Sequence, residues 1–515
     1  MMTKELMTMN TKNLKILLSL FVLNSVTLYL YFFFCPDHIL YKLTESRVPA
    51  QSSGAVDSKP WPILQSYMPW SDNKNAPLGS CEAYFGNGFT TRVDALNVSS
   101  SGSHRKFNSA RRRRGGWFRC FYSGTLQSSV CEGGRIRMNV DRINMSGGGE
   151  ELAAVIGRRE EEELPEFEDG AFEIEVLETS RTGEKLVDDV FLENYVPDGA
   201  IDRHTMRALI DSIRLVGSNE FECSEWVEEP TLLVTRFEYA NIFHTVTDWY
   251  SAYVASRVTG LPRRPHLVFL DGHCETPLEE TWKALFSSLR YAKSFTGHVC
   301  FRHAILAPLG YETPLFKGLS EDIDCYGTSA NELRQHPNDK TTARLSEFGE
   351  MIRAAFGFPV NNHLPEKPAS EHNILFVRRE DYLAHPRHGG KVQSRLNNEQ
   401  EVFDSIQKWA SNYWKCKLNI VNGLLAHMSM KEQIRAIQDA SVISGAHGAG
   451  LTHTIAATPE AVVFEIVSSE FRRPHFALIA KWKGLEYHAL YLEGADADPQ
   501  KVIDELSIIL RNLGC

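Results

Sequence analysis

Three glycines enclose a histidine in Gly445-Ala446-His447-Gly448-Ala449-Gly450, between an apolar run and a short helical pattern. In parallel α/β sheets, ligands bind where strands run out into helices. Gly445 and Gly450 can take backbone angles that other residues avoid, and Gly448 lets a ligand approach the main chain. A helix starting near Leu451 would offer unpaired N–H groups and a positive dipole end to an anion. The loop therefore reads as a diphosphate-binding candidate, the alternative being a tight structural turn. No side-chain packing demands a histidine between glycines, so His447 is a candidate ligand contact. The loop lacks the GK[ST] of a P-loop and is not a GxGxxG fingerprint.

Two further clusters carry charge. "FVRREDY" ends an apolar run with Arg378 and Arg379, and "SRLNNEQEV" sets Arg395 just before a helical pattern. Arginines at a strand's carboxyl end suit a phosphate-rich ligand. The alternative is that they pair with neighbouring carboxylates. In "YANIFHTVTDWY", His244 and Asp248 are four apart, on one helical face. That spacing suits a general base and its orienting partner, and either residue could take the proton. A positioned base contributes roughly 10²–10⁴-fold. Asn241, at the expected helix start, Asn398, Glu399 and Glu401 are read as supporting residues, as is Glu465 in the run after the glycine loop. Glu399 and Glu401 are also runner-up bases.

A divalent metal would need adjacent carboxylates. Two DxD triplets occur, Asp322-Ile323-Asp324 and Asp496-Ala497-Asp498, and neither follows a clear apolar strand. Asp271 ends "LVFLD" alone. The expectation is metal-independent chemistry with no cofactor. Trp117, Phe118, Phe121, Tyr122, Trp249 and Tyr250 could stack on sugars, but such residues more often fill cores.

The elements that must position these residues begin near Thr231. Strand-like runs ("TLLVTRF", "HLVFLD", "HAILAP", "NILFVRR", "KLNIVN", "SVIS", "AVVFEIV") alternate with helical patterns. This predicts α/β architecture with parallel sheets covered on both faces. A Pro-containing break near residues 360–371 divides it into two Rossmann-like lobes, 231–365 and 366–515. Residues 81–230 are irregular in pattern and read as a substrate-side extension with a few strands.

The chain has 515 residues, 43% hydrophobic and 23% charged, which is globular composition. Its net charge of -10 argues against nucleic acid as a general partner. The four arginines Arg111 to Arg114 are read as a solvated loop. Ile16 to Cys35 form 20 residues without a charge, enough to span a bilayer. Lys4, Lys12 and Lys15 precede them against Glu5 alone, which keeps residues 1–15 cytoplasmic and exports the rest. A cleaved signal peptide is the competing reading. A Ser- and Pro-rich stem, 36–80, would link this signal anchor to the exported body. Sequons at Asn97 and Asn144 suit that side of the membrane, and ten cysteines allow disulfides whose pairing is open.

In order and spacing, "NIFHTVTD", "VRRED…RLNNEQEV" and "SGAHGAGLTH…EIV" resemble the motifs of glycosyltransferase family 61 over residues 230–490. The resemblance implies a two-lobed enzyme of the GT-B kind, anchored in the Golgi membrane with its catalytic part luminal. It implies transfer from a UDP-sugar with inversion. "PWPILQSY", "CEAYFGNGF" and the stretch from Cys120 to Ile143 resemble plant members that act on N-glycans. That likeness implies UDP-xylose as donor and the 2-hydroxyl of the core β-mannose of N-linked glycans as acceptor. Another sugar or acceptor, such as xylan or protein-linked N-acetylglucosamine, is the same-class alternative. An inactive, membrane-anchored glycan-binding protein is the different-class one.

Overall fold

Alternate residues of the strand Thr231–Val234 enter different cores: Leu232 and Val234 pack under helices, while Leu233 packs against a second sheet. This period-2 split, apolar on both sides, marks a strand buried on both faces. The computed structural model describes residues 58–62, 88–97, 115–177, 181–199, 201, 203–320, 345–360, 370–379 and 394–515. The apolar run 16–35, most of the stem, Arg111–Arg114 and the Asp322–Asp324 triplet lie outside them. No described helix is long and apolar enough to cross a membrane.

The first sheet has seven strands. Ala304–Leu306, Thr231–Val234, His266–Phe269 and Leu289–Tyr291 run parallel, and Thr91–Leu96, Trp117–Ser123 and Ser128–Gly134 extend it antiparallel. One face carries helices Ile242–Val258, Glu279–Leu285 and Leu345–Ala355. The other is covered by a five-stranded sheet ordered Ile213–Gly217, Phe172–Val176, Ile136–Asn139, His298–Phe301 and Glu225–Val227. Helical cover on both faces is thus corrected here. Much of the stretch read as irregular forms strands: Ser128–Gly134 is buried throughout and leaves no alternation to see, while Phe172–Val176 (FEIEV) alternates over too few residues to stand out.

The second part matches the expected pattern. Its five strands are all parallel, ordered Lys417–Gly423, Glu371–Val377, Val442–Ala446, Val462–Val467 and Glu486–Tyr491. Leu375, Val377, Ile443 and Val463 face the first core, with Ile434, Ile437 and Ile479. Ile374, Phe376, Phe464 and Ile466 face Val402, Phe403, Val502 and Leu506 from helices Glu399–Ser411 and Pro499–Asn512. The strand order reverses between Glu371–Val377 and Val442–Ala446, which opens a crevice at their carboxyl ends.

Among the described residues, three disulfides join Cys120–Cys131, Cys223–Cys300 and Cys416–Cys515. The last pins the terminal residue across 99 positions of sequence. Cys416→Ser should cost about 2–4 kcal/mol by freeing a long loop in the unfolded chain. A melting temperature several degrees below wild type checks this, and an unchanged one refutes it.

Candidate active site

The helix Ile242–Val258 starts at Asn241, whose Oδ1 accepts from the Phe243 N–H at 3.0 Å, an N-cap in the expected place. All of its residues except Ile242 and His244 are buried. A histidine left partly open on an otherwise enclosed helix is available for chemistry. His244 Nδ1 shares a 2.8 Å hydrogen bond with the Tyr311 hydroxyl, and the two rings stack. Burial, reinforced by His475, lowers the His244 pKa to about 4. Burial raises that of Tyr311, aided by Asp248 and Glu238. At neutral pH the pair is therefore an uncharged imidazole against an intact phenol.

Asp248 shares the helical face but has another task. Its carboxylate is 3% exposed and accepts from the Phe237 N–H at 3.3 Å and from the Gly310 backbone. Burial raises its pKa well above the ordinary range. It ties together the two segments that carry Phe237 and Tyr311, whose rings meet edge to face at 4.6 Å. The structure gives no hydrogen bond between Asp248 and His244, so the expected base–partner pair is corrected. Tyr311 is the partner, and Asp248 sits behind both. Asp271 is likewise committed, buried and paired with Arg236 at 2.8 Å.

At the crevice of the parallel sheet, the glycine loop follows strand Val442–Ala446 and enters a 3₁₀ helix, Ala449–Ala456. None of its three glycines lies in the left-handed region, and Gly448, at φ 171°, is extended. Their role is close approach instead. A Cβ on Gly445 would lie 2.5 Å from the Val377 carbonyl, and one on Gly450 would lie 2.7 Å from Val377 Cγ1. A Cβ on Gly448 would collide with Nη1 of Arg379. His447 Nδ1 bonds Glu465 Oε1, and Tyr487 donates to Glu465 Oε2 at 2.6 Å. Glu465 thus fixes the imidazole and leaves Nε2 without a partner among the described residues.

Arg379 reaches this loop at Gly448, and Arg395 lies near Arg379. Arg379 Nε and Arg395 Nε and Nη1 are buried without hydrogen-bond partners. The Arg395 guanidinium lies 3.2 Å from the Phe471 ring centroid. Burial lowers the Arg395 pKa, and the neighbouring charges of Arg379 and Arg473 lower it further, against Glu470. Buried donors without acceptors carry a desolvation cost, so a cluster of them is primed for an anion.

Arg378 is the exception. It bonds Glu399 (3.4 Å), Gln400 (2.7 Å) and Asn422 (3.4 Å), and it covers Phe403. Both residues follow the strand's end at Val377 and their side chains diverge, Arg379 toward Gly448 and Arg378 toward Glu399. Glu399 accepts from the Arg379 N–H at 3.2 Å and holds the turn. Asn398 exchanges hydrogen bonds with Ala497 and donates to the exposed Glu401. Asp496 accepts from Asn397, and Asp498 caps the last helix. Glu399, Glu401 and the second DxD triplet are therefore engaged in loop structure. His372, Cys416 and Cys515 also cluster, but the two sulfurs are joined in a disulfide.

Trp249 and Tyr250 belong to the core. Asn97 is exposed, and Asn144 is exposed in a short strand, its amide donating to Glu168 at 3.0 Å. Sequence reasoning passed over Tyr311, Arg473 and His475. The last two had a visible signal: "RRPH", residues 472–475, follows strand Val462–Val467 where ligand loops belong. The His475 ring stacks on Phe243 at 5.3 Å and so joins the helix of His244 to the glycine-loop side.

His204, His244, His453 and His475 each titrate near 4 rather than 6.5, chiefly because desolvation, complete at His453 and partial at the other three, disfavours the charged ring. The unfolded chain binds more protons between those values, so stability falls as pH drops from about 6.5 to 4. Melting temperature should be level above pH 6.5 and decline below it, and a flat profile down to pH 4 would contradict these environments.

The sequence pattern of the glycosyltransferase 61 family matches residues 226–464, which include His244, Arg379, Arg395 and the glycine loop. A β-1,2-xylosyltransferase of Arabidopsis thaliana is 60% identical over 98% of this chain and 99% of its own length. One from Oryza sativa subsp. japonica is 59% identical, covering 91% and 85%. An EGF domain-specific O-linked N-acetylglucosamine transferase of Gallus gallus is 24% identical over 52% of this chain and 45% of its own.

Proposed function

The chain belongs to glycosyltransferase family 61, and on that premise we propose that it is an inverting β-1,2-xylosyltransferase. It moves xylose from UDP-xylose to the core β-mannose of N-linked glycans. The near full-length identity to two β-1,2-xylosyltransferases supports this choice over another sugar or acceptor. One structural observation carries the chemistry: buried, partnerless guanidinium donors and the glycine loop meet at the sheet's switch point, with a neutral histidine on the adjoining helix.

On this reading, the two lobes form a GT-B arrangement, with 231–365 on the acceptor side and 366–515 on the donor side. Arg379, Arg395, the N–H groups of the loop and His447 hold the diphosphate and stabilise charge on departing UDP. Each preorganised donor is worth on the order of 10²-fold. With Nδ1–H donated to the Tyr311 oxygen, His244 Nε2 keeps a lone pair for the acceptor 2-hydroxyl proton. Attack from the face opposite the leaving diphosphate inverts the anomeric carbon. No metal is required, because guanidinium groups and backbone dipoles supply the positive potential. The apolar run Ile16–Cys35 makes the chain a single-pass type II protein of the Golgi membrane, its body luminal.

The test is incubation of the full chain with UDP-xylose and a biantennary N-glycan bearing terminal N-acetylglucosamine, with and without EDTA. A pentose-sized mass gain that survives EDTA is expected. Gain only with another UDP-sugar overturns the donor, and loss in EDTA overturns the metal-free mechanism.

A further inference from the structure

His475 opens the helix His475–Lys483, directly behind Pro474. Three rings surround it. Phe243, the residue before His244, lies parallel to it at 5.3 Å with planes 13° apart. His447 of the glycine loop lies 6.2 Å away, and Phe476 is edge-on at 6.5 Å. No described residue offers a hydrogen bond to either nitrogen of His475. The ring is only partly buried, so its nitrogens are not sealed in a core. Two residues upstream, Arg473 lies within electrostatic range of both His475 and Arg395. His475 therefore stands where the residues read as base side and phosphate side come together.

Packing alone does not call for a histidine here. A phenylalanine would stack on Phe243 as well and would bury more apolar surface. An imidazole earns its place through its nitrogens, and the protein supplies them no partner.

We propose that His475 is a direct contact to the nucleotide-sugar, donating an imidazole N–H to a diphosphate oxygen beside the transferred sugar. Its stack on Phe243 at the same time fixes the spacing between the His244 helix and the donor loop. This rests on the reading of the site as that of a UDP-sugar transferase. Burial and the nearby His447 and Arg473 lower the His475 pKa to about 4, so the contact is a neutral donor and the cationic charge comes from the arginines. It binds through a hydrogen bond and takes no proton from the acceptor.

His475→Phe keeps a flat ring against Phe243 and removes both nitrogens, whereas His475→Gln keeps a donor and removes the ring. Both variants of the full chain are compared for melting temperature, UDP affinity by calorimetry, and kcat and KM with UDP-xylose. The Phe variant should melt as wild type, bind UDP about tenfold more weakly and lose about 10²-fold in kcat. The Gln variant should keep more activity than Phe. A Phe variant with wild-type UDP affinity and kcat overturns the proposal and makes His475 a packing residue, as do equal losses in both variants with lowered melting temperatures. Should the wild-type chain transfer no sugar from any donor, the transferase reading fails. The UDP titration of the Phe variant still decides whether His475 touches the nucleotide.

Discussion

Replacing His244 with alanine should lower kcat by about 10²–10⁴-fold and leave UDP affinity and melting temperature near wild type. The residue is one of two on its helix that are not buried, so its removal leaves no closed cavity. It is neutral at working pH, with a pKa near 4, and its Nδ1 is engaged by Tyr311, which leaves Nε2 for the substrate. Asp248→Ala is the informative contrast. Asp248 holds the backbone of Phe237 and Gly310 from a buried position, so its loss should lower stability together with activity. The measurement is single-turnover transfer at saturating donor alongside thermal unfolding. His244→Ala with wild-type kcat would remove it as the base. Full stability with lost activity in Asp248→Ala would return Asp248 to the chemistry.

Arg395→Ala should abolish most UDP binding and reduce kcat/KM by about 10²–10³-fold without lowering the stability of the ligand-free protein. The sign of the stability effect follows from the site. Two Arg395 nitrogens are buried without acceptors, and Arg379 and Arg473 repel its charge. Deleting the side chain relieves desolvation and repulsion, and it forfeits the stack on Phe471 and the attraction of Glu470. The melting temperature without ligand should hold or rise, while the increase normally conferred by saturating UDP should largely disappear. Lysine should not restore function, because a point charge cannot reproduce the planar fork. Arg378→Ala should do the opposite: its bonds to Glu399, Gln400 and Asn422 make it a support, so stability falls more than UDP affinity. If Arg395→Ala binds UDP normally, the anion site lies elsewhere.

Local pattern was enough to locate much of this site. The helix at Ile242–Val258, its Asn241 cap, the parallel strands of the second part and the position of the glycine loop all rest on periodicity and turn chemistry. Those act over a few residues and are therefore written in the sequence. Ser128–Gly134, buried along its whole length, leaves no such trace, and Ile136–Asn139 and Phe172–Val176 alternate over too few residues to declare the second sheet they help build. Family membership was likewise legible, since motif order survives without coordinates.

The partnerships were decided only by the tertiary structure. Arg378 and Arg379 are adjacent in sequence yet diverge, one held by Glu399 and the other set against Gly448. Gly445 and Gly450 are small because Val377 of the neighbouring strand crowds them, not because their backbone angles demand it. His244 and Asp248 share a helical face, but Tyr311, 67 positions away, takes the imidazole. His447 meets Glu465 because strands Val442–Ala446 and Val462–Val467 pair in parallel, with Gly445 opposite Glu465. Spacing along the chain says which side chains emerge together. Only packing across tens to hundreds of residues says what they meet, because hydrogen-bond satisfaction and burial are properties of the folded neighbourhood.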